Sequence, residues 1–320
     1  MGSRTTRPTK PTRWRRNWAF PFELDQLVNN LTGGMYELGE IDGPIMKAWR
    51  EKLAKGMFRY ELDKQIETAT FGRHGFVAQK AYGRAGKRQL SAPVHSVKHP
   101  FDENGFNWSK ISQDEILVKV DEQGRIVRPP PRSSATPMGG NLIIINTSPV
   151  TNYHFMICPG VNRTPALPQQ LTRDGLKLCL NILRRGCRFL RCVFNSIGAF
   201  ASVNALHFHG VYFFGQLPIE QCSMEPLGSP SNGLEVCRLC QWPGDVAVLC
   251  SSDINVLTDA VCRLTDVLLE LNIAHNLVFS HQGMKQIKVF VWPRKIVSQF
   301  GAGNLNIASS RKHVLRTSIL

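Results

Sequence analysis

The sequence predicts an α+β fold in which an antiparallel sheet carries helices on one face and is followed by a smaller C-terminal α+β region. Three observations support this fold class. The chain of 320 residues is 42% hydrophobic, which is enough to bury a full core. Amphipathic helical patterns alternate with short stretches of β-branched and aromatic residues, which are typical of strands. No run of about 18 apolar residues occurs, so we expect no membrane span.

Composition limits the classes of partner. Residues 1–22 hold six Lys and Arg residues and no acid, which predicts a disordered basic arm. Residues 43–215 are expected to form the larger domain and residues 216–320 the C-terminal region. The net charge of +15 favours anionic partners such as a nucleotide or a nucleic acid. Zinc-finger, RNP-type and basic-zipper patterns are absent from the sequence, so a nucleic-acid-binding protein is a minor alternative.

The cysteines indicate the compartment. There are nine, an odd number without framework spacing, and no apolar signal segment opens the sequence, so we expect a cytoplasmic protein. Cys237 and Cys240 form a lone Cys-x-x-Cys pair, which without a second pair does not indicate a metal site. We expect neither a metal nor a cofactor. The sequence leaves the oligomeric state open.

Hydrophobic periodicity places the main elements along the chain. A helical stripe predicts a helix over 45–60, and Thr172 is a good N-cap for a second helix that ends near Gly186. An unbroken apolar run at 142–145 predicts a strand buried on both sides. Further strands are predicted at 75–79, 115–120, 154–159, 273–279 and 287–292, and a third helix at 259–271.

The stretch from Ser202 to Phe214 predicts one long strand, because β-branched and aromatic residues dominate it and no proline interrupts it. Side chains alternate between the two faces of a strand. His207 and His209 therefore share one face, opposite Phe208 and Tyr212. With a rise of roughly 3.3 Å per residue, their Cα atoms lie about 6.6 Å apart. Both imidazoles can then contact one substrate group.

Small and polar residues precede the two histidines. Asn195, Ser196 and Gly198 belong to an Asn-x-x-Gly turn, which leaves backbone N–H groups exposed and lets an anion approach closely. Ser202 and Asn204 follow it. This pattern predicts a phosphate cradle beside two imidazoles. Because an imidazole held by a hydrogen bond can attack phosphorus and carry the group as a phosphoramidate, the combination predicts nucleotidyl transfer.

The segment from Phe194 to Gly210 resembles the active-site segment of the GDP-hexose phosphorylases, a branch of the histidine-triad superfamily. Other blocks resemble the same family in the same order. They are Gly56-Met-Phe-Arg-Tyr-Glu-Leu, Gly75-Phe-Val-Ala-Gln, Phe106-Asn-Trp-Ser-Lys-Ile, Ile145-Asn-Thr-Ser-Pro, Leu217-Pro-Ile-Glu-Gln and Ile273-Ala-His-Asn-Leu. The resemblance covers roughly residues 45–300 and fades beyond them, where the chain is shorter than its relatives. It implies a histidine-triad-like catalytic domain over residues 43–215.

The resemblance also implies an activity and roles for residues. His207 matches the histidine that becomes guanylylated, and His209 matches the third position of the triad. The implied reaction is phosphorolysis of GDP-D-glucose, a GDP-hexose, by inorganic phosphate to give GDP and glucose 1-phosphate. Residues implied to bind the nucleotide are Asn195, Ser196, Gly198, Ser202, Asn204 and Lys110. His154 stands where the superfamily has the histidine of a Gly-His pair, and we interpret it as structural.

Ala205 occupies the first position of the triad, and two outcomes stay open. If this position orients His207 through its backbone carbonyl, alanine keeps that carbonyl and activity survives. If an imidazole at this position contacts phosphate, activity falls steeply. The second outcome would leave a guanine-nucleotide-binding relative without turnover.

Overall fold

The computed structural model describes residues 37–60, 66–71, 76–81, 94–127, 139–213, 215–283 and 285–296. The predicted basic arm and the end of the chain lie outside these residues. The helices are α1 (Asp42–Ala54), α2 (Arg173–Arg185), α3 (Pro218–Gln221) and α4 (Ile254–Glu270), with 3-10 turns at Trp108–Lys110 and Gln113–Glu115. The strands are β1 (Ile66–Phe71), β2 (Phe76–Ala81), β3 (Ile116–Val120), β4 (Gly140–Ile145), β5 (Phe155–Val161), β6 (Leu190–Asn195), β7 (Phe208–Tyr212), β8 (Met224–Pro226), β9 (Glu235–Leu239), β10 (Ala247–Ser251), β11 (Ala274–Gln282) and β12 (Gln286–Arg294).

Ten of these strands form one antiparallel sheet, in the order β3-β4-β5-β7-β6-β11-β12-β10-β9-β8. Strands β1 and β2 form a separate antiparallel hairpin. Apolar side chains of α1, α2 and α4 share one buried cluster with side chains from the sheet. The predicted α+β class, with helices packed on an antiparallel sheet, is confirmed.

The two halves of the sheet have the same topology. In the first half the order is β3-β4-β5-β7-β6 with α2 between β5 and β6, and in the second it is β8-β9-β10-β12-β11 with α4 between β10 and β11. The halves join where β6 pairs with β11, with Asn195 opposite Asn276. The sequence predicted α4, β11 and β12 but not β8, β9 and β10. These three strands have at most five residues each, so their hydrophobic pattern is too short to identify.

The long strand predicted from Ser202 to Phe214 is wrong in length, because β7 spans only Phe208–Tyr212 and residues 201–207 are irregular, with a bend at 203–205. The reason is a competing set of partners. The Leu206 N–H donates to the carbonyl of Leu167 at 3.0 Å instead of to a sheet neighbour. Phe214 lies outside the described residues.

Strand β6 was absent from the prediction because Arg191 interrupts its apolar run. The structure buries Arg191 to 5% exposure, and its guanidinium forms a two-pronged ion pair with Glu220 of α3, with Nε 2.5 Å from Oε1 and Nη2 3.1 Å from Oε2. A paired charge can enter a core strand at an acceptable desolvation cost. Glu220 is 29 residues away in the sequence, so no local sequence pattern predicts this ion pair.

The helix boundaries follow from their caps. Thr172 caps α2 as predicted, since its side-chain oxygen accepts the Gly175 N–H at 3.2 Å. Helix α1 ends earlier than predicted, before Gly56, which has a φ of +69°. Helix α4 begins earlier than predicted, because Asp253 accepts N–H bonds from the first turn.

The two faces of the sheet bury different clusters. On the helix side lie Trp49, Ile143, Ile145, Phe155, Leu180, Phe208 and Leu257, all at or below 1% exposure. On the other side of the first half lie Trp108, Ile111, Leu142, Ile144, Met156, Cys158 and Ala205. The run 142–145 alternates between the two clusters, which confirms the prediction of a strand buried on both sides. No helix in the described residues is long and apolar enough to cross a membrane.

Asp42 ties three elements together at the start of α1. Its carboxylate accepts the N–H groups of Gly39 and Cys187 and the hydroxyl of Tyr212, each at 2.7 Å. The side chain is fully buried, and this burial raises the pKa of the carboxyl group, although its hydrogen bonds act in the opposite direction. The contact joins α1 to the end of α2 and to the end of β7.

We expect Asp42→Ala to lower the free energy of unfolding by about 3 kcal/mol, because it strands two backbone donors and one hydroxyl in the core. Tyr212→Phe removes only one of the three donors and should cost about 1 kcal/mol. Urea titrations at pH 7 measure both. Equal losses in the two variants would contradict the role given to the carboxylate.

Candidate active site

His207 lies immediately before β7, and the main chain orients its ring. Nδ1 is 2.8 Å from the carbonyl oxygen of Ala205. Because a carbonyl only accepts hydrogen bonds, Nδ1 carries the proton and the lone pair of the neutral ring is on Nε2. The side chain is 2% exposed, and burial lowers its pKa from 6.5 to about 4, while the Ala205 carbonyl acts in the opposite direction. At pH 7 the ring is therefore neutral, with a nucleophilic Nε2.

Trp108 covers the same carbonyl and the same imidazole. Its Nε1–H donates to the Ala205 oxygen at 3.1 Å, and its ring centroid lies 5.0 Å from that of His207, with the planes at 70°. The indole is held in a short 3-10 turn that Asn107 caps by accepting the Ser109 N–H at 3.0 Å. Trp108 thus keeps water away from His207, and the low pKa of the imidazole follows from this exclusion.

Gln169 binds the backbone of the segment that carries His207 through its side-chain amide. Oε1 accepts the His207 N–H at 2.8 Å, and Nε2 donates to the carbonyls of His207 at 3.1 Å and Asn195 at 2.9 Å. The backbone N–H of Gln169 donates to the Asn204 side chain at 3.0 Å. One buried residue therefore fixes the positions of three residues that the sequence assigned to the site.

His207 and His209 share one face, as predicted, with ring centroids 5.1 Å apart. His209 in turn contacts His154, since its Nδ1 is 3.0 Å from His154 Nε2. The Val150 N–H donates to His154 Nδ1 at 3.1 Å, so the proton of a neutral His154 is on Nε2 and is donated to His209. A neutral His209 then carries its own proton on Nε2. The Asn146 amide nitrogen, 3.4 Å from His154 Nε2, is the more distant neighbour of that atom.

The predicted turn is packed against the second half of the sheet. The Ser196 hydroxyl accepts the His275 N–H at 2.9 Å and donates to the Ile197 carbonyl at 3.0 Å. Gly198 has a φ of +78°, and a Cβ at this position would lie 3.2 Å from the side chain of Ile296. The glycine is thus required by its backbone conformation and by this close neighbour.

Asn195 lies near the two histidines, on the face of the sheet that the helices do not cover. The ladder of β6 and β7 ends at the pair Val193 and His209, and beyond it the Gln169 amide nitrogen donates to the carbonyls of both Asn195, at 2.9 Å, and His207, at 3.1 Å. The Asn195 side-chain oxygen accepts the Asn276 amide at 2.5 Å. His207 therefore lies next to the seam between the two halves.

The remaining predicted residues occupy the surrounding loops. Ser202 is exposed. The Asn204 amide donates to the Pro100 carbonyl at 2.6 Å and so anchors the loop before β7. The Lys110 ammonium donates to the carbonyls of residues 103–105 at 2.7 to 3.0 Å, which closes the loop that leads to Trp108. The structure brings together His207, His209 and Asn195, whereas Lys110 is engaged with that loop.

Three residues of the site were not assigned to it from the sequence. Trp108 lies within a block that resembles the family, which was the only signal for it. Gln169 has no local signal, since it sits in a Pro-Gln-Gln stretch and acts through residues 26 and 38 positions away. His154 was interpreted as structural, and its contact with His209 appears only once β5 and β7 are paired. In the described part of the chain no group of three or more His, Cys, Asp or Glu residues is arranged to hold a metal ion.

Comparisons with known proteins place this arrangement in a family. Residues 40–211 match the family described as "GDPGP1-like, N-terminal domain", and residues 218–315 match "GDPGP1-like, C-terminal domain". The chain belongs to the GDPGP1-like family. The N-terminal match covers α1 to β7, and the C-terminal match covers β8 to β12, so each family segment corresponds to one half of the sheet.

Two curated relatives agree with this membership. The chain is 32% identical over 271 residues to bovine GDP-D-glucose phosphorylase 1, covering 81% of this chain and 68% of the relative. It is 28% identical over 274 residues to GDP-L-galactose phosphorylase 2 of Arabidopsis thaliana, covering 83% and 62%. Among solved structures, yeast Ap4A phosphorylase Apa2 in complex with AMP matches with a TM-score of 0.48 at 13% identity, over 82% of this chain and 81% of that chain.

We predict that Gln169→Leu lowers the free energy of unfolding by about 2–4 kcal/mol, since it removes the partner of the buried N–H and carbonyl of His207 and of the part-buried Asn195 carbonyl. Gln170→Leu is the matched control, because this neighbouring amide makes only a 3.4 Å contact with the His99 carbonyl. Its change should stay within about 0.5 kcal/mol. Chemical denaturation compares the two variants. A Gln169→Leu protein as stable as the Gln170→Leu protein would refute the proposed role of Gln169 in fixing the His207 segment.

Proposed function

We propose that this protein is a nucleotidyltransferase that phosphorolyses GDP-D-glucose to GDP and glucose 1-phosphate through a guanylyl intermediate on His207. The observation that carries the proposal is the hydrogen bond from His207 Nδ1 to the Ala205 carbonyl. It supports a ring held in the tautomer whose Nε2 can attack phosphorus. The names of the family's curated relatives support the choice of a GDP-hexose as substrate.

The reaction divides into two displacements at the same phosphorus. Nε2 of His207 forms a bond to the α-phosphorus, and the bond from that phosphorus to the bridging oxygen breaks, releasing glucose 1-phosphate. An oxygen of inorganic phosphate then attacks the phosphoramidate, which releases GDP and restores the imidazole. Because the leaving sugar phosphate is a weak base, no strong general acid is required.

Ala205 is compatible with this chemistry because its backbone carbonyl, not its side chain, orients the His207 ring. Its carbonyl receives both the His207 Nδ1–H and the Trp108 Nε1–H, and any residue at position 205 supplies that carbonyl. The alanine side chain itself is 3% exposed and packs in the cluster that contains Trp108. The first of the two outcomes left open by the sequence is therefore the one we adopt.

We assign stabilisation of the transition state to donors around His207. His209 Nε2–H, whose tautomer follows from the contact with His154, donates to a non-bridging oxygen of the α-phosphate. We retain Asn195, Ser196, Gly198, Ser202, Asn204 and Lys110 as the proposed nucleotide-binding set, with Asn195 joined to His207 through the Gln169 amide. We also propose a cytoplasmic setting, since six of the nine cysteines are buried as free thiols and suit a reducing compartment.

Mixing the protein with GDP-glucose labelled in its α-phosphate should trap radioactive guanylate on the chain, and His207→Ala should abolish this label because it removes the attacking nitrogen. His95→Ala changes an exposed histidine and serves as the control that keeps full labelling. Label that persists in His207→Ala would refute His207 as the guanylylated residue. Binding of GDP by calorimetry without any label on the native protein would instead identify a binding-only relative.

The pH dependence of labelling tests the state of His207. Protonation of the ring consumes the lone pair on Nε2, and the pKa of about 4 keeps that lone pair present above pH 5. Single-turnover labelling by GDP-glucose should therefore be level from pH 8 to about 5 and fall as the pH approaches 4. Trp108→Ala admits water and should move this midpoint upwards, towards 6.5. A midpoint near 6.5 in the native protein would contradict the buried, neutral imidazole.

A further inference from the structure

Arg294, at the end of β12, is a half-buried cation without an acidic partner among the described residues. Its guanidinium lies over the rings of Phe200 at 4.9 Å and Trp292 at 5.7 Å. Desolvation lowers its pKa, and no carboxylate acts in the opposite direction. Burying part of a charge costs free energy unless an opposite charge compensates it. A bound anion would supply that compensation.

A chain of side chains connects this cation to the nucleophile. Arg294 Nη1 donates to the Asn276 side-chain oxygen at 3.1 Å, and the Asn276 amide donates to the Asn195 side chain at 2.5 Å. Asn195 and His207 are joined through the Gln169 amide nitrogen, which donates to the carbonyls of both residues. Strands β7, β6 and β11 are neighbours, so two strand spacings, or about 10 Å, separate the backbone of β7, which begins one residue after His207, from that of Asn276. The guanidinium approaches Asn276 from the far side of the seam.

The backbone conformation of Phe200 is a second, independent observation at the Arg294 site. It has a φ of +74°, a conformation that costs a bulky L-residue free energy and that persists only where surrounding contacts impose it. Its backbone neighbour Ala199 is fixed by the Asn276 amide, which donates to the Ala199 carbonyl at 2.9 Å. The ring of Phe200 stacks against the guanidinium of Arg294 and restricts the orientation of the guanidinium plane.

We infer that Arg294 binds the phosphate group that is exchanged in the reaction, first as the β-phosphate that leaves with the sugar and then as the inorganic phosphate that enters. This inference rests on the proposed function and adds a residue from the second half of the sheet. One guanidinium N–H is held by Asn276, and the others can form a two-pronged contact with phosphate oxygens. The leaving and entering groups occupy the same side of the α-phosphorus, opposite His207, so one cation serves both steps.

The variants Arg294→Gln and Arg294→Lys test this assignment in the full chain. With guanylylated protein and inorganic phosphate, Arg294→Gln should raise the phosphate concentration for half-maximal GDP release roughly 10- to 100-fold, the loss expected for a charged hydrogen bond. Arg294→Lys keeps the charge but not the planar fork, so its effect should be intermediate. Affinity for GMP, measured by calorimetry, should stay within about two-fold, because GMP lacks the exchanged phosphate.

Lys288→Gln is the matched control. Lys288 is on the same strand and the same face, with its ammonium 5.8 Å from the Phe290 ring, but it is six residues from Arg294 and away from the seam. Removing this charge should leave the phosphate dependence unchanged. An equal effect of the two glutamine variants would mean that net charge alone is responsible, and would overturn the inference. Thermal unfolding checks each variant, and Arg294→Lys decides the question if Arg294→Gln is poorly folded.

The remaining outcomes separate this inference from the proposed function. Normal turnover with an unchanged phosphate dependence in both Arg294 variants would refute the inference alone. If the native protein shows no labelling and no turnover, the proposed function fails, and calorimetry then decides the inference. A loss of GDP affinity in Arg294→Gln with unchanged GMP affinity would uphold it. Equal losses for GDP and GMP, or no binding of either by the native protein, would overturn it.

Discussion

The carbonyl oxygen of Ala205 is the acceptor on which the site depends. It fixes the proton of His207 on Nδ1 and holds the Trp108 indole over the imidazole, through bonds of 2.8 and 3.1 Å. The first bond selects the tautomer whose lone pair is on Nε2, although it raises the pKa of the ring. Burial under the indole outweighs that effect, lowers the pKa and keeps the ring neutral. A backbone atom supplies both, so the identity of the side chain at position 205 is of secondary importance for the orientation of His207.

This carbonyl can act only because the segment that carries it is fixed. Residues 201–207 leave the regular sheet, and the Gln169 amide takes over the pairing that a strand neighbour would give to His207. The exchange has a structural benefit. Outside the ladder, this segment turns the Ala205 carbonyl towards the imidazole of His207 two residues later. The side-chain amide keeps the buried polar groups of that segment satisfied.

The two halves of the sheet share a topology but not a chemistry. Strand β7 carries His209, with His207 just before it, whereas β12, which holds the corresponding place in the second half, contains no histidine. On the face of the second half that the helices do not cover, Phe290 and Val248 are buried against Trp242 and Trp292. The polar side chains of the second half collect at the seam, where Asn276 meets Asn195. The first half thus supplies both histidines, and the second half packs against one side of them at the seam.

The sequence by itself determined the fold class, the caps of α2, the strand at 142–145 and the pairing of two imidazoles on one face, because each rests on local periodicity or on residues adjacent in the chain. Only the tertiary structure decided the rest. Gln169, His154 and the buried pair of Arg191 with Glu220 act through partners 26 to 55 residues away, and strands β8 to β10 are defined by their neighbours more than by their own short patterns. A polar residue in the sequence does not show whether folding will give it a partner. That partner decides whether the residue interrupts a core or orients a catalytic group.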